Sequence, residues 1–192
     1  MKILLIIPAY NEENCITKVI DELVERYPQY DYIIVNDGST DHTSEICHKN
    51  GYEIIDLPIN LGLAGAFQTG LKYAYLKNYD YAMQMDADGQ HLPEYIEALI
   101  KKINEGYDIV IGSRFVTEKK PKSMRMLGSN MISWAIHMTT GVRVMDPTSG
   151  MRIFNRNMIK EFASNINYGP EPDTISFLLK QGAKIGEVQV KM

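Results

Sequence analysis

The chain is short of cysteine, of long apolar runs and of positive charge, and each shortage excludes something. Its two cysteines, Cys15 and Cys47, both fall in predicted helices with no metal-ligand spacing between them. A reducing, cytosolic setting with buried or idle thiols is therefore expected. No stretch supplies the roughly 20 apolar residues of a membrane span. The most apolar late segment, residues 131–145, is interrupted by Ser133, His137, Thr139, Thr140, Gly141 and Arg143, which reads as an amphipathic helix and its exit. Lys2 precedes an apolar run over residues 3–7, but that run is too short for a secretory leader and stops at Pro8. The formal net charge of -4 argues against a nucleic-acid partner. It leaves phosphorylated substrates open, because a metal ion can supply positive charge locally. No internal repeat or low-complexity tract is visible.

What is present suits one globular unit. At 192 residues, with 45% hydrophobic and 23% charged residues, a single domain over 1–192 is expected. Strand and helix signals alternate. Residues 3–7 form a continuous apolar run, as in a strand covered on both faces. Ile16, Val19, Ile20, Leu23 and Val24 repeat at helical spacing before Pro28. Strands follow at 32–35, 54–57 and 109–111, with a fourth ending near residue 85. Helices are predicted at 41–49, at 64–76, after Pro93 (with Ile96, Leu99, Ile100 and Ile103 as its stripe) and at 126–138. Residues 185–190 read as a closing strand. This βα rhythm predicts an α/β fold, a mostly parallel central sheet with helices on both faces. Residues 1–115 carry the regular rhythm, and 116–192 are expected to pack onto them.

The polar signals gather at the predicted carboxyl ends of the strands, where open α/β sheets bind ligands. Strand one ends in Pro8, Ala9, Tyr10, Asn11, Glu12 and Glu13, and strand two in Asn36, Asp37, Gly38, Ser39, Thr40 and Asp41. Asn60, Gly62 and Gly65 follow strand three, and Gly112-Ser113-Arg114 closes strand five. The fourth strand runs into Gln84-Met85-Asp86-Ala87-Asp88-Gly89-Gln90-His91. In extended geometry Asp86 and Asp88 aim at one spot. Two carboxylates so close repel unless a cation lies between them, and a hard divalent ion shared with substrate phosphates fits. The alternative is an acidic turn. Asn11 and Glu12 read equally as helix cap and first-turn acid. Ser39, Thr40 and Asp41 are expected to cap the second helix. Asp37 has less structural excuse and is a candidate acceptor for a base or ribose. Gly62 and Gly65 let a helix approach the sheet, or let backbone N–H groups approach a diphosphate.

The segments 7–13, 35–41 and 86–91 occur in an order and spacing that resemble the family-2 glycosyltransferases. Gly112-Ser113-Arg114-Phe115 and Asp146-Pro147-Thr148-Ser149-Gly150-Met151-Arg152 resemble the branch holding dolichol-phosphate mannose synthase and bacterial polyprenyl-phosphate sugar transferases. The resemblance implies a GT-A fold and an inverting transfer from a nucleotide-diphosphate sugar, UDP favoured over GDP. It implies Mg²⁺ or Mn²⁺ held by Asp86, Asp88 and Gln90. By motif position Pro8, Ala9, Tyr10, Asn11, Glu12, Asp37, Gly65, Asp86, Ala87 and Asp88 would meet the donor. Arg114 and Arg125 would be candidates for binding the acceptor phosphate, and Arg152 could assist either phosphate group, the acceptor's included. Asp173 lies where the family often places an acidic base, and Glu171 is the alternative; Asp173 reads equally as the cap of the following helix.

The resemblance also implies polyprenyl phosphate as acceptor at the cytosolic membrane face, with a growing glycan hydroxyl as the runner-up. A membrane-protein partner and a homo-oligomer are compatible with it. The chain lacks the Gln-x-x-Arg-Trp of processive synthases, its one tryptophan being Trp134. It carries Gln68-Thr69 where many relatives have a basic residue and asparagine. Many relatives continue past the closing strand into amphipathic or membrane-spanning helices, so anchoring is expected from elsewhere or the chain is a shortened form. Lys119, Lys120, Lys122 and Arg125 read as a solvated basic loop or as an acceptor loop meeting anionic lipid. Two other classes compete. A haloacid-dehalogenase-like phosphatase would use Asp86 as nucleophile but needs later motifs that are absent. A non-catalytic nucleotide-sugar-binding subunit would keep binding without transfer.

Overall fold

A computed structural model of the chain describes residues 1–87, 93–118, 124–164 and 171–191. Strands β1 (Ile3–Ala9), β2 (Asp31–Asn36), β3 (Ile54–Asp56), β4 (Tyr81–Gln84), β5 (Ile109–Ser113), β6 (Arg152–Asn155) and β7 (Ile185–Gln189) form one sheet in the order β3-β2-β1-β4-β6-β5-β7. Helices α1 (Ile16–Arg26), α2 (Thr43–Lys49), α3 (Gly62–Leu76), α4 (Ile96–Ile103), α5 (Met124–Thr140), α6 (Arg156–Ser164) and α7 (Pro172–Lys180) connect and flank it.

β1 lies between β2 and β4, parallel to both, with Ala9 opposite Asn36 and Ile6 opposite Gln84. β6 is the exception: it runs antiparallel between β4 and β5. Because β1, β2, β4 and β5 all point one way, their carboxyl ends share one edge. The antiparallel β6 starts at that edge, bringing Arg152 opposite Gln84 and Ile111.

β1 shows why the sheet is covered on both sides. Ile3, Leu5, Ile7 and Ala9 pack with Ile16, Ile20 and Leu23 of α1 and Ile96, Leu99 and Ile103 of α4. Leu4 and Ile6 pack with Phe67, Leu71 and Ala74 of α3, Phe162 of α6 and Leu178 of α7. Side chains alternate along a strand, so an unbroken apolar run feeds two cores at once. Phe154 of β6 holds the second core together, its ring 5.4 Å from Phe67 and 5.3 Å edge-on from Phe162. The edge-on pair is worth about 0.5–1.5 kcal/mol beyond burial.

Several expected boundaries shift. β4 stops at Gln84, so Asp86 lies past the strand. Pro93 opens a 3₁₀ turn over Pro93–Tyr95, and α4 begins only at Ile96. α2 begins at Thr43 after His42, which makes no side-chain cap bond. Asp41 serves that turn instead, its Oδ1 accepting from the Thr43 N–H and hydroxyl. Asp88, Gln90, His91, Lys119, Lys120 and Lys122 lie outside the described residues, as does the Arg125 side chain.

Candidate active site

Pro8, Ala9, Tyr10 and Glu12 beyond β1, Asp37 beyond β2, and Asp86 and Ala87 beyond β4 line one cavity of about 250 Å³. Leu63 and Ala66 of α3 complete its wall. Three adjacent parallel strands deliver these residues, which is why segments dozens of residues apart converge. Among the described residues, two donor positions expected from sequence are not on the wall. Asn11 is exposed with φ +59, and its Oδ1 accepts from Thr40 N–H at 2.8 Å. Gly65 packs inside α3 against Leu61, where an added Cβ would come within 2.4 Å of the Leu61 Cβ. Leu63 and Ala66 were not singled out from sequence, since apolar helix residues give no separate signal. Gln68 also turns inward, its Nε2 donating to Phe162 O at 3.2 Å, so it bridges α3 to α6.

The wall is braced from behind. Asn11 N–H donates to Ser39 Oγ, Glu12 N–H to Thr43 Oγ1 and Glu13 N–H to Asp41 Oδ2, while Glu13 Oε2 accepts from His42 N–H. Burial alone would raise the Asp41 carboxyl, but the bonds from Thr43 and Glu13 outweigh it and hold it below the usual carboxylate range. Asp37 is only 4% exposed. Its N–H donates to Ala9 O at 2.8 Å, and its Oδ1 accepts from Leu61 N–H at 2.7 Å. So Asp37 has a structural task after all, fixing the entry to α3. Its Oδ2 has no hydrogen-bond partner among the described residues. Gly38 makes this possible: at φ +66, an added Cβ would sit 2.8 Å from Asn60 N and Ile59 C.

Gln84 is fully buried beside Asp86. Its Nε2 approaches Asp86 Oδ1 at 3.5 Å, a marginal bond, and its Oε1 has no partner among the described residues. An orphaned buried carbonyl costs about 1–3 kcal/mol.

A second polar layer lies beyond β5 and β6. Arg114 grips Asp146 with two prongs, Nε to Oδ2 at 2.8 Å and Nη2 to Oδ1 at 3.0 Å. Arg114 N–H and Thr148 Oγ1 add to the same carboxylate. Burial would raise the Asp146 carboxyl, but Arg114 overrides it and holds it below the usual range. Glu187 of β7 accepts from Met145 and Asp146 N–H groups. Arg152 is buried, with Nε on Ser149 O and Nη2 on Pro147 O, both at 2.8 Å. Burial pushes its guanidinium down to about 10, against the pull of Glu171 and Asp146. Arg152 thus holds the 147–149 turn rather than standing on an open surface. Asp146 belongs to a motif quoted above, yet its partnership with Arg114 needs the fold; Glu187 announced itself only as a lone acid in an apolar strand.

The two acids considered for a base separate. Glu171 occupies the N-cap of α7, without a side-chain cap bond, and acts electrostatically on Arg152. Asp173 lies in the first turn of α7 and lines a different, mostly apolar groove of about 480 Å³ between α5 and α7. A larger cavity of about 690 Å³ lies between residues 115–118 and α5, with Trp134, His137 and Arg143 on its wall. Its size alone does not make it the donor site, since none of the donor positions lines it.

Among the described residues no three His, Cys, Asp or Glu side chains gather as a metal cage. The described residues offer a carboxylate wall, Asp86 and Asp37 facing one cavity. Such oxygen donors fit a hard divalent ion that takes one or two carboxylates and completes its shell from phosphates and water.

The sequence profile described as Glycosyl transferase family 2 matches residues 4–163. The UDP-N-acetylglucosamine–dolichyl-phosphate N-acetylglucosaminyltransferase of Methanococcus voltae is 33% identical over 213 residues, covering 98% of this chain and 84% of that protein. The undecaprenyl-phosphate mannosyltransferase of Micrococcus luteus is 29% identical over 207 residues, covering 99% and 83%. Among solved structures, glucosyl-3-phosphoglycerate synthase of Mycobacterium tuberculosis, crystallised with Mn²⁺, UDP and phosphoglyceric acid, superposes with a TM-score of 0.71 at 21% identity, over 98% of this chain and 68% of that one. S. aureus TarS 1–349 gives 0.65 at 21% identity, over 100% and 59%. The fold is the GT-A glycosyltransferase fold.

Proposed function

The chain belongs to glycosyl transferase family 2 and is a glycosyltransferase, and we propose that it moves a sugar, with inversion, from a nucleotide-diphosphate sugar to polyprenyl phosphate. The observation that carries this reading is the shared cavity of Pro8, Ala9, Tyr10, Glu12, Asp37, Asp86 and Ala87. At about 250 Å³ it is smaller than whole-ligand sites of roughly 300–1,000 Å³. It suits the nucleoside end of a donor, with the diphosphate lying toward Asp86. Asp37 takes the base or ribose. UDP is favoured because the Methanococcus voltae relative is named for a UDP-sugar and the mycobacterial structure holds UDP.

Asp86, with Asp88 and Gln90, would hold Mg²⁺ or Mn²⁺ against the diphosphate. When bound, the ion supplies positive charge to the nucleoside diphosphate as it leaves. The acceptor oxygen bonds to the anomeric carbon while the bond to the diphosphate breaks, through an oxocarbenium-like state. A phosphate acceptor is already an anion and needs no base. A hydroxyl acceptor would need one, and Glu171, near Arg152, is better placed than Asp173 on the α5/α7 groove. Arg125 and the Nη1 end of Arg114 are the candidates for the acceptor phosphate, and Arg152 supports the site from within. The named acceptors of the two relatives support a polyprenyl phosphate, met at the cytosolic membrane face. We assign residues 1–115 to the donor side and 116–192 to the acceptor side of one catalytic unit.

The test is donor turnover with a short polyprenyl phosphate against soluble sugar acceptors, after calorimetric titration with a panel of nucleotide sugars with and without Mn²⁺. Metal-dependent binding of a UDP-sugar and transfer to the lipid phosphate are expected. Transfer only to sugar hydroxyls would replace the acceptor reading.

A further inference from the structure

Asp56 closes β3, the three-residue strand at the edge of the sheet, and is not on the wall of the donor cavity. Register sets it opposite Asn36 on β2, and Asn36 opposite Ala9 on β1. One row across three parallel strands thus runs from Asp56 to a residue of the cavity wall.

The first link in that row is made by side chains. Asp56 Oδ1 accepts from Asn36 Nδ2 at 2.7 Å and from Ser44 Oγ at 2.8 Å, and its Oδ2 accepts from His48 Nε2 at 2.6 Å. Burial would raise the Asp56 carboxyl, but these bonds outweigh it and hold it below the usual carboxylate range. His48 is 61% exposed, so its pair with Asp56 is screened by solvent and holds little by itself. Asn36 is a different case. It is 3% exposed, and Asp56 Oδ1 is the one acceptor for its Nδ2 among the described residues.

The other end of the same amide reaches the donor side. Asn36 Oδ1 accepts from Ser39 N–H at 3.2 Å. An amide is planar, and only one orientation turns its donor to a carboxylate and its acceptor to an N–H. Anchoring Nδ2 on Asp56 therefore sets where the turn after β2 lies. That turn braces the next segment in its own right: Ser39 Oγ accepts from Asn11 N–H at 3.0 Å, and Asn11 Oδ1 accepts from Thr40 N–H at 2.8 Å. Asn11 stands between Tyr10 and Glu12, and Asp37 follows Asn36 directly; all three of Tyr10, Glu12 and Asp37 line the cavity.

We infer that Asp56 is a positioning residue for nucleoside binding, acting through the Asn36 amide on the turn that carries Asp37. The inference rests on the donor-site reading above and extends it to a residue that touches no donor atom.

Calorimetry with UDP, GDP and inorganic pyrophosphate, each with Mn²⁺, tests it. Pyrophosphate carries no nucleoside and reports on the Asp86 side alone. Asp56→Ala takes the acceptor from a buried amide and should weaken binding of whichever nucleotide the wild type prefers by about tenfold, with pyrophosphate binding unchanged. Asp56→Asn keeps Oδ1 and should stay near the wild type. Asn36→Asp sets two carboxylates against each other and should weaken the nucleotide at least as much. The exchange Asn36→Asp/Asp56→Asn restores one amide and one carboxylate and should recover the affinity, even where Asn36→Asp alone folds poorly. Unchanged nucleotide binding by Asp56→Ala would overturn the inference. So would an equal loss for nucleotide and pyrophosphate, the mark of a general structural role, or an exchange variant no better than Asn36→Asp. A wild type that binds neither nucleotide would strike down the donor reading itself and this inference with it, whereas normal wild-type binding beside an unaffected Asp56→Ala strikes down this inference alone.

Discussion

Arg114 and Asp146, 32 residues apart in the chain, meet in a two-pronged ion pair with the carboxylate fully buried. The pair ties the end of β5 to the turn before β6, the one antiparallel strand between β4 and β5.

Removing one partner strands the other. Asp146→Ala leaves a guanidinium facing a void and should cost about 3–5 kcal/mol. Arg114→Lys keeps the charge but replaces a planar fork by a single ammonium, so a smaller loss is expected. Urea unfolding midpoints measure both. An unchanged midpoint for Asp146→Ala would show that the pair holds nothing in place.

The same carboxylate predicts an acid limb. Its folded-state pKa lies below the ordinary value, so its stabilising contribution is complete above about pH 4. That contribution fades as pH falls through the lower folded value. Asp41 and Asp56 are depressed too, so the wild type should lose stability steeply at acid pH. Asp146→Asn should flatten that fall without abolishing it, as read from thermal midpoints across a pH series.

Gly38→Ala should destabilise far more than Gly51→Ala. Both glycines have positive φ, +66 and +69, but only at Gly38 does an added Cβ meet backbone, at 2.8 Å. Gly51→Ala should cost about 1–2 kcal/mol from the left-handed conformation alone. Gly38→Ala should exceed this and weaken donor binding, because the displaced 59–61 segment includes the N–H that holds Asp37. Equal costs would contradict the close approach.

Asp88→Ala and Asp86→Asn should each remove the Mn²⁺-dependent part of donor affinity and leave the fold intact. Calorimetry with and without the ion, beside circular dichroism, reads both. Undiminished metal dependence would contradict the site.

Gln84→Leu sets stability against function. It removes the orphaned Oε1 and fills the same space with apolar atoms, so an unchanged or higher melting temperature is expected. It also removes the amide beside Asp86 Oδ1, and donor affinity should fall. A variant that melts early would mean that the carbonyl is satisfied in solution.

Local chemistry made much of this molecule legible. The run at 3–7 reads as a strand fed by two cores because alternation along a strand is built into the backbone. The helices over 16–26 and 96–103 follow from apolar spacing of three and four residues. Asp37 was a different matter: its lack of a cap position was visible, but its bond to Leu61 N–H was not, because that partner arrives through the β3–α3 connection. Arg152 read only as a candidate for either phosphate group, and its enclosure by the carbonyls of its own preceding turn was not legible.

Residue order alone settled the succession of strands and helices over residues 1–115 and the acids at the strand ends, because periodicity and turn preferences act between near neighbours; β6, α6 and α7 were not placed by it. The folded chain decided the rest. Only the antiparallel entry of β6 could put Arg152 beside Gln84, and only the packing of α5 on Met126, Ser129 and Ile136 could turn Leu127, Met131, Trp134 and Met138 outward. Such pairings depend on which surfaces are left once every element has buried its apolar face, and no window along the chain contains that information.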